Sequence, residues 1–208
     1  MQLINKFDLK LTNTLICGKP GTGKGYILKR WIVELLNDKQ NIVIINPYGE
    51  YTQFVFDSMD PKTAADVLTN IASKQIDLAR EIGEKKLNSY TEIEGYKPPV
   101  IIIDSIDYYM NANDYRSVES IKTALYSISS VATITGASII MTSQRANCGS
   151  VTTLMLDRME QILILGPVST GDDIINRLFM DNVFIPIQDG YGIAKSKDGI
   201  FIFKKDPD

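Results

Sequence analysis

The stretch "LICGKPGTGKGYI", residues 15–27, decides the fold. Its glycines and lysine have the G-x-x-x-x-G-K spacing of a phosphate-binding loop, in which backbone N–H groups surround phosphate oxygens and the lysine reaches the β- and γ-phosphates. An apolar strand over 13–17 precedes the loop, and a helical segment over 23–38 follows it and directs its N-terminus at the phosphates. The sequence therefore predicts a nucleotide-binding loop made of Gly18, Lys19, Pro20, Gly21, Thr22, Gly23, Lys24, Gly25 and Tyr26.

The residue after Lys24 departs from the usual pattern. Gly25 stands where a Ser or Thr hydroxyl normally ligates Mg²⁺. Without that hydroxyl the ion would be held by phosphates, water and carboxylates elsewhere, which Mg²⁺ accepts because it commonly keeps several waters. "GKPGTGKG" also resembles the loop of adenylate kinases, which have glycine after the lysine. Those kinases continue with Thr where this chain has Tyr26, and no arginine-rich lid is evident in the sequence.

Composition narrows the possibilities. The 208 residues are 44% hydrophobic and 23% charged, which is typical of one globular domain. No run of 18 apolar residues and no signal-peptide core are present, so we expect no spanning helix and a cytoplasmic protein. The absence of histidine excludes imidazole chemistry, and Cys17 and Cys148 lack metal-ligand spacing. A net charge of −3 means that nucleic acid would have to meet a local basic patch or one made by several subunits.

Short β-branched runs alternate with helical stretches along the chain. This alternation predicts a mostly parallel sheet covered by helices on both faces. The expected strands are 41–46, 98–105, 137–144 and 161–166, the expected helices 62–89 and 118–136, and a hairpin is expected over 191–205.

The third strand ends in a second candidate site residue. In "VIIIDSID", residues 100–107, Asp104 follows four apolar residues, as in a Walker B strand, and is predicted to hold Mg²⁺ beside the phosphate loop. Ser105 stands where many ATPases have the glutamate that polarises the attacking water. Glu50 and Asp107 are the two carboxylates that can replace it, and we slightly favour Glu50.

Two further segments resemble a known family. "NIVIINPYGEY", residues 41–51, is similar to the "DPxGEY" segment of the HerA/FtsK superfamily of DNA-pumping ATPases, with Asn46 in place of the leading Asp. "GASIIMTSQRAN", residues 136–147, resembles the FtsK segment whose strand ends in a glutamine that senses the γ-phosphate. The resemblance covers residues 11–205. It implies a RecA-like P-loop NTPase core, in one ATPase domain over residues 1–208, that hydrolyses ATP with Mg²⁺.

The resemblance also implies residue roles. Gln144 would sense the γ-phosphate, and Arg145 would enter the site of a neighbouring subunit. Plainer alternatives remain open: Glu50 as a solvated turn carboxylate, Gln144 as a partner of a neighbouring strand, and Arg145 as a surface charge. The aromatic cluster Tyr108, Tyr109 and Tyr115 is expected mainly to pack, with base stacking as the alternative. The basic cluster Lys195, Lys197, Lys204 and Lys205 is expected mainly to face solvent, with the lining of a DNA pore as the alternative.

The family implies a hexameric ring that moves double-stranded DNA. The expected function is viral genome packaging, or DNA transfer for a plasmid or conjugative element. A capsid portal or vertex, or a conjugation apparatus, would be the partner, and the protein would lie in the host cytoplasm or with the virion. The alternatives are a nucleotide kinase, favoured by "GKPGTGKG", and a nucleotide-binding subunit that no longer hydrolyses ATP, favoured by Gly25 and Ser105.

Overall fold

The strand before the glycine loop lies inside a mixed sheet. The structure is a computed structural model that describes residues 2–4, 11–49, 51, 59–144, 153–166 and 190–204. Within these residues eight strands form one sheet in the order β1-β8-β7-β6-β2-β5-β4-β3. The strands are β1 (Gln2–Ile4), β2 (Thr14–Gly18), β3 (Asn41–Ile45), β4 (Pro99–Ile103), β5 (Ser138–Ser143), β6 (Gln161–Leu165), β7 (Tyr191–Ser196) and β8 (Gly199–Lys204).

The five strands β2 to β6 run parallel to one another. In the centre, Leu15 of β2 lies between Met141 of β5 and Ile162 of β6. Strand β7 is antiparallel to β6 and β8, and β1 pairs with β8 in parallel. Because β2, β4 and β5 run the same way, the residues after them meet at one edge of the sheet. We call this the carboxyl edge.

Capping residues set where the helices begin and end. The Asp60 carboxylate accepts the backbone N–H groups of Lys62 and Thr63 at the start of helix α2 (Pro61–Glu84), and Asp114 caps helix α4 (Tyr115–Thr135) in the same way. Gly136 ends α4 at a φ of 74°, where a Cβ atom would overlap the Tyr90 ring. The helices are α1 (Lys24–Asn37), α2 (Pro61–Glu84), α3 (Ile106–Met110), α4 (Tyr115–Thr135) and α5 (Thr153–Leu156), with a 3₁₀ turn over Tyr90–Glu92.

Alternate residues of the central strands build two cores. Leu15, Ile101 and Met141 face the core that α2 and α4 cover. Ile16 and Ile102 face the opposite core, which α1 covers with Trp31 and its neighbours. Both faces of the parallel strands are therefore buried, which explains why these strands are almost continuously apolar.

The predicted fold class is confirmed: a mostly parallel sheet with helices on both faces and a C-terminal hairpin. Some details differ from the sequence prediction: α3, α5 and the 3₁₀ turn were not predicted, and α4 begins three residues before the expected start at 118. The helix expected over 62–89 ends at Glu84, and Lys86 then reverses the chain at a φ of 55°. Strand β1 was not predicted, because its three residues pair only with β8 at the far end of the sequence. No helix in the described part of the chain is long and apolar enough to span a membrane.

Candidate functional site

The glycine loop is shaped around the side chain of Thr22. The Thr22 hydroxyl donates to the carbonyl of Lys19 at 2.8 Å, and the side chain is buried. A Cβ atom at Gly18 would lie 2.5 Å from Thr22 Oγ1, and one at Gly166 would overlap Thr22 Cγ2. Gly166 follows β6 at a φ of 84°, so both space and backbone conformation require glycine there.

Helix α1 begins at the loop with its first N–H groups directed into it. Gly23 is the N-cap, has a left-handed φ of 94°, and brings no side chain to cap the helix. The N-terminus of α1 is thereby left for an anion. Gly25 is the second residue of the helix, and a Cβ atom there would meet no atom within 4 Å. Space therefore does not require glycine at position 25.

Lys24 folds back over the loop. Its Nζ donates to the carbonyls of Gly18, at 2.5 Å, and Lys19, at 3.1 Å. Burial lowers the pKa of Lys24, and the negative charges of Asp104 and Asp107 oppose this shift. The lysine charge thus lies in a partly desolvated position that faces the two carboxylates after β4.

Two hydroxyl groups hold the Asp104 carboxylate. The phenol of Tyr51 donates to Oδ2 at 2.7 Å, and the hydroxyl of Thr142 donates to Oδ1 at 2.5 Å. The Thr142 oxygen also accepts the backbone N–H of Ser105 at 2.6 Å. Ser105 itself has a left-handed φ of 62°, so the chain turns sharply between β4 and α3.

Asp107 connects α3 to the end of β5. Its Oδ1 accepts the Ser143 hydroxyl at 3.0 Å, and its Oδ2 accepts the backbone N–H of Gln144 at 2.6 Å. Asp107 and the exposed Gln144 line a cleft of about 460 Å³, which Ser105, Tyr48 and Tyr108 also border. A carboxylate, an amide and a serine therefore face the same cleft at the carboxyl edge.

A second cleft, of about 410 Å³, extends from the loop to the C-terminal hairpin. Tyr26, which is 55% exposed, lies on one side of it, and Tyr191 and Lys204 of the hairpin lie on the other. This cleft borders the glycine loop at Gly21, Thr22 and Gly23. Lys204, expected on a solvated hairpin face or in a DNA pore, borders this cleft.

The structure brings three of the predicted catalytic residues to the carboxyl edge. Lys24 lies near the carboxylates of Asp104 and Asp107, and Gln144 donates its backbone N–H to Asp107. The predicted Glu50 and Arg145 lie outside the described residues, as does Lys205. Sequence reasoning missed Thr142 and gave Tyr51 no role; the available signals were the final tyrosine of the "PYGEY" segment and a threonine two residues before Gln144.

The tyrosines after β4 divide into buried and exposed residues. Tyr109 is fully buried and donates its phenol O–H to the Met59 carbonyl at 3.1 Å, and burial raises its pKa. Tyr108 packs edge-on against it with ring centroids 5.2 Å apart, and Tyr115 is exposed. Packing is therefore the role of Tyr109, in line with the plainer interpretation of this cluster.

The carboxyl edge fits a magnesium ion that arrives with its nucleotide. Among the described residues, no group of three or more Asp, Glu, Cys or His side chains is placed to hold a metal ion. Asp104 offers a single fixed carboxylate beside the phosphate loop. This donor set suits Mg²⁺, which takes one or two carboxylates and completes its shell with phosphates and water.

The fold and the loop define a P-loop ATPase. Residues 14–167 match the family model "ATPase family associated with various cellular activities (AAA)". The match covers most of the chain, and the protein belongs to this family of ATPases. Compared with curated proteins, the sequence has no significant match.

Solved structures with this fold include three informative neighbours. The pCW3 conjugation coupling protein TcpA, solved with ATPγS, has a TM-score of 0.76 and 15% identity, with 94% of this chain and 60% of TcpA covered. EssC from Geobacillus thermodenitrificans has a TM-score of 0.74 and 11% identity, with 94% and 40% covered. The genome packaging NTPase B204 from Sulfolobus turreted icosahedral virus 2, solved with ATPγS, has a TM-score of 0.57 and 14% identity, with 94% and 98% covered.

The likeness to these neighbours shows a shared fold, the P-loop ATPase core that the sequence predicts. The chain spans less than two thirds of TcpA and of EssC, and nearly all of B204. ATP is the nucleotide that the family match and the complexes with ATP analogues support.

Proposed function

We propose that this protein is the ATPase subunit of a motor that moves double-stranded DNA. The observation that carries the proposal is the convergence of Lys24, Asp104 and Gln144 at the carboxyl edge of an AAA-family core. A genome packaging NTPase and a conjugation coupling protein among the structural neighbours favour DNA as the cargo. Viral genome packaging is the first assignment, because B204 is matched over almost its whole length; plasmid or conjugative transfer is the second.

The P-loop residues bind and neutralise the triphosphate in this proposal. Lys24 exchanges its bonds to the carbonyls of Gly18 and Lys19 for the β- and γ-phosphates, and the N–H groups at the start of α1 donate to phosphate oxygens. Asp104, oriented by two hydroxyls, would hold Mg²⁺. The ion would offset the charge that develops during phosphoryl transfer.

Asp107 and Glu50 are the candidates for the carboxylate that polarises the attacking water. Asp107 borders the cleft at the carboxyl edge, near the charge of Lys24 and beside Gln144. Glu50 precedes Tyr51 in the sequence, and Tyr51 contacts Asp104. The described contacts favour Asp107, and each candidate is tested by its own substitution.

The remaining residues link hydrolysis to movement. Gln144, which follows β5, reports the γ-phosphate to α3, since its backbone N–H donates to Asp107 of that helix. Arg145 reaches the site of a neighbouring copy in a homo-oligomeric ring, which we propose to be a hexamer. Each copy contributes one ATPase domain over residues 1–208, and the ring works in the host cytoplasm or with the virion, docked to a capsid portal or vertex or to a conjugation apparatus.

ATP turnover with and without double-stranded DNA tests this function. We expect phosphate release to rise on addition of DNA and to disappear in the Lys24→Ala variant, because that variant lacks the lysine that neutralises the phosphates. Formation of ADP from AMP and ATP, without stimulation by DNA, would instead establish the nucleotide kinase alternative. ATP binding with no phosphate release at high protein concentration would establish a subunit that has lost hydrolysis.

A further inference from the structure

We infer that Tyr51 is a positioning residue for Asp104 and thereby sets how strongly the site uses Mg²⁺. The inference rests on the proposed function, since it concerns the metal that would accompany ATP. Tyr51 ends the segment "PYGEY", and its phenol O–H donates to Asp104 Oδ2 at 2.7 Å. The bond joins a residue beyond β3 to the residue that follows β4.

Packing of its aromatic ring in the core fixes the position of the Tyr51 side chain. Tyr51 is 0% exposed and belongs to the core beneath α1, together with Trp31 and Ile44. The ammonium of Lys29, on α1, lies 5.9 Å from the ring centroid, within reach of a cation–π interaction. The helix that begins at the phosphate loop thus packs against the tyrosine that orients Asp104.

The second oxygen of Asp104 is fixed independently. Thr142 donates to Oδ1 from β5, and its oxygen accepts the Ser105 N–H. With one donor on each oxygen, the carboxylate has one preferred rotation, while each oxygen keeps a further lone pair for a cation or a coordinated water. Removing either donor frees the carboxylate, so that ordering it again opposes metal binding.

This role has consequences that simple core packing does not have. A tyrosine that only fills the core would affect stability, and through it all ligand binding equally. A tyrosine that positions Asp104 affects the binding of nucleotide with Mg²⁺ and leaves binding without metal unchanged. The ratio of the dissociation constants for nucleotide with and without Mg²⁺ therefore distinguishes the two roles.

The chain offers a matched control. Tyr109 is also 0% exposed, and its phenol donates to the Met59 carbonyl, away from Asp104. Tyr51→Phe and Tyr109→Phe each remove one phenol hydrogen bond of a fully buried side chain, and thermal unfolding measures the stability cost of each. Thr142→Val removes the other donor to Asp104 at nearly constant volume.

The test measures the affinity of a fluorescent ADP analogue in excess Mg²⁺ and in EDTA, with thermal unfolding of each variant. We expect Tyr51→Phe to weaken binding in Mg²⁺ by about 3- to 10-fold, which is the net contribution of a typical hydrogen bond, and to leave binding in EDTA within about twofold of the wild type. Thr142→Val should act in the same direction, and Tyr109→Phe should change neither constant.

Equal weakening in Mg²⁺ and EDTA, or no weakening in either, would overturn the inference. So would a wild-type protein whose affinity is the same in Mg²⁺ and EDTA. The measurement needs neither DNA nor turnover. A protein that binds nucleotide with the expected metal dependence but is not stimulated by DNA would reject the motor and retain the role of Tyr51.

Discussion

The carboxylate of Asp107 accepts the backbone N–H of Gln144 at 2.6 Å and so ties the first turn of α3 to the end of β5. The same carboxylate accepts the Ser143 hydroxyl and faces the charge of Lys24. One acidic side chain therefore contacts the predicted γ-phosphate sensor and lies near the lysine of the phosphate-binding loop. This arrangement makes position 107, in place of Ser105, the first position to test for catalysis.

Asp107→Asn keeps the size of the side chain and removes its charge. We expect it to lower ATP turnover at saturating ATP by about 100-fold or more, the usual contribution of a general base, with ATP affinity nearly unchanged. Glu50→Gln, measured in parallel, should retain most of the turnover. The reverse pattern, with turnover lost in Glu50→Gln and kept in Asp107→Asn, would assign the role to Glu50.

Lys24→Met should raise thermal stability without nucleotide while abolishing nucleotide binding. Burial lowers the pKa of Lys24, so its charged form costs folding free energy at neutral pH, and methionine removes that charge. Thermal unfolding at pH 7 with and without ATP checks both effects. A variant that is less stable than the wild type, or that is still stabilised by ATP, would contradict this account of Lys24.

The stability difference between Lys24→Met and the wild type should depend on pH. Because the folded-state pKa of Lys24 lies below its ordinary value of 10.5, the unfolded wild type binds more protons between the two values. The free energy of unfolding of the wild type therefore increases as pH rises through this window, and the difference between the two proteins becomes smaller. Urea unfolding of both proteins from pH 7 to alkaline pH measures this difference, and an increase in it would contradict the prediction.

Gly25→Ser should supply a hydroxyl at the position after Lys24, where a Ser or Thr normally ligates Mg²⁺. A Cβ atom at position 25 meets no atom within 4 Å, and the residue lies in α1, so Gly25→Ala should stabilise the fold by up to about 1 kcal/mol. Only the serine variant should lower the Mg²⁺ concentration needed for half-maximal ATP turnover. An equal effect of serine and alanine would show that the hydroxyl does not reach the ion.

Gly166→Ala, just after the neighbouring strand β6, should displace Thr22 and so distort the glycine loop. The added Cβ would overlap Thr22 at a residue whose φ is 84°, so we expect more than the roughly 1–2 kcal/mol that a left-handed backbone alone costs, together with weaker ATP binding. Gly95→Ala is the control, since φ is 74° there and a Cβ would meet no atom within 4 Å. Equal losses in the two variants would mean that the contact with Thr22 has no effect.

The sequence alone predicted the elements that depend on local pattern. The apolar runs around Ile16, Ile44, Ile102 and Ile140 became buried parallel strands because a sheet covered on both faces needs no alternation of polar residues. Strand β1 was missed since its three residues are stabilised only by β8, almost 200 residues away in the sequence. Short strands with such distant partners leave little local signal.

The candidate site was predictable where its chemistry lies within one motif. Lys24 and Asp104 follow from the spacing of the loop and from the end of an apolar strand. The bonds of Tyr51 and Thr142 to Asp104 join β5 to the segments that follow β3 and β4. These contacts depend on the order of the strands in the sheet, which the sequence does not state. Lys204 was assigned to a solvated hairpin because its proximity to the glycine loop arises only when β8 enters the sheet.

Displacement of a third strand from a DNA triplex tests the motor most directly, because it reports movement along the duplex. With ATP and Mg²⁺, the wild-type protein should release a labelled triplex-forming oligonucleotide from duplex DNA, and Lys24→Ala should release none. Release should also stop when ATPγS replaces ATP. DNA-stimulated ATP hydrolysis without any release of the third strand would contradict the proposal that this protein moves DNA.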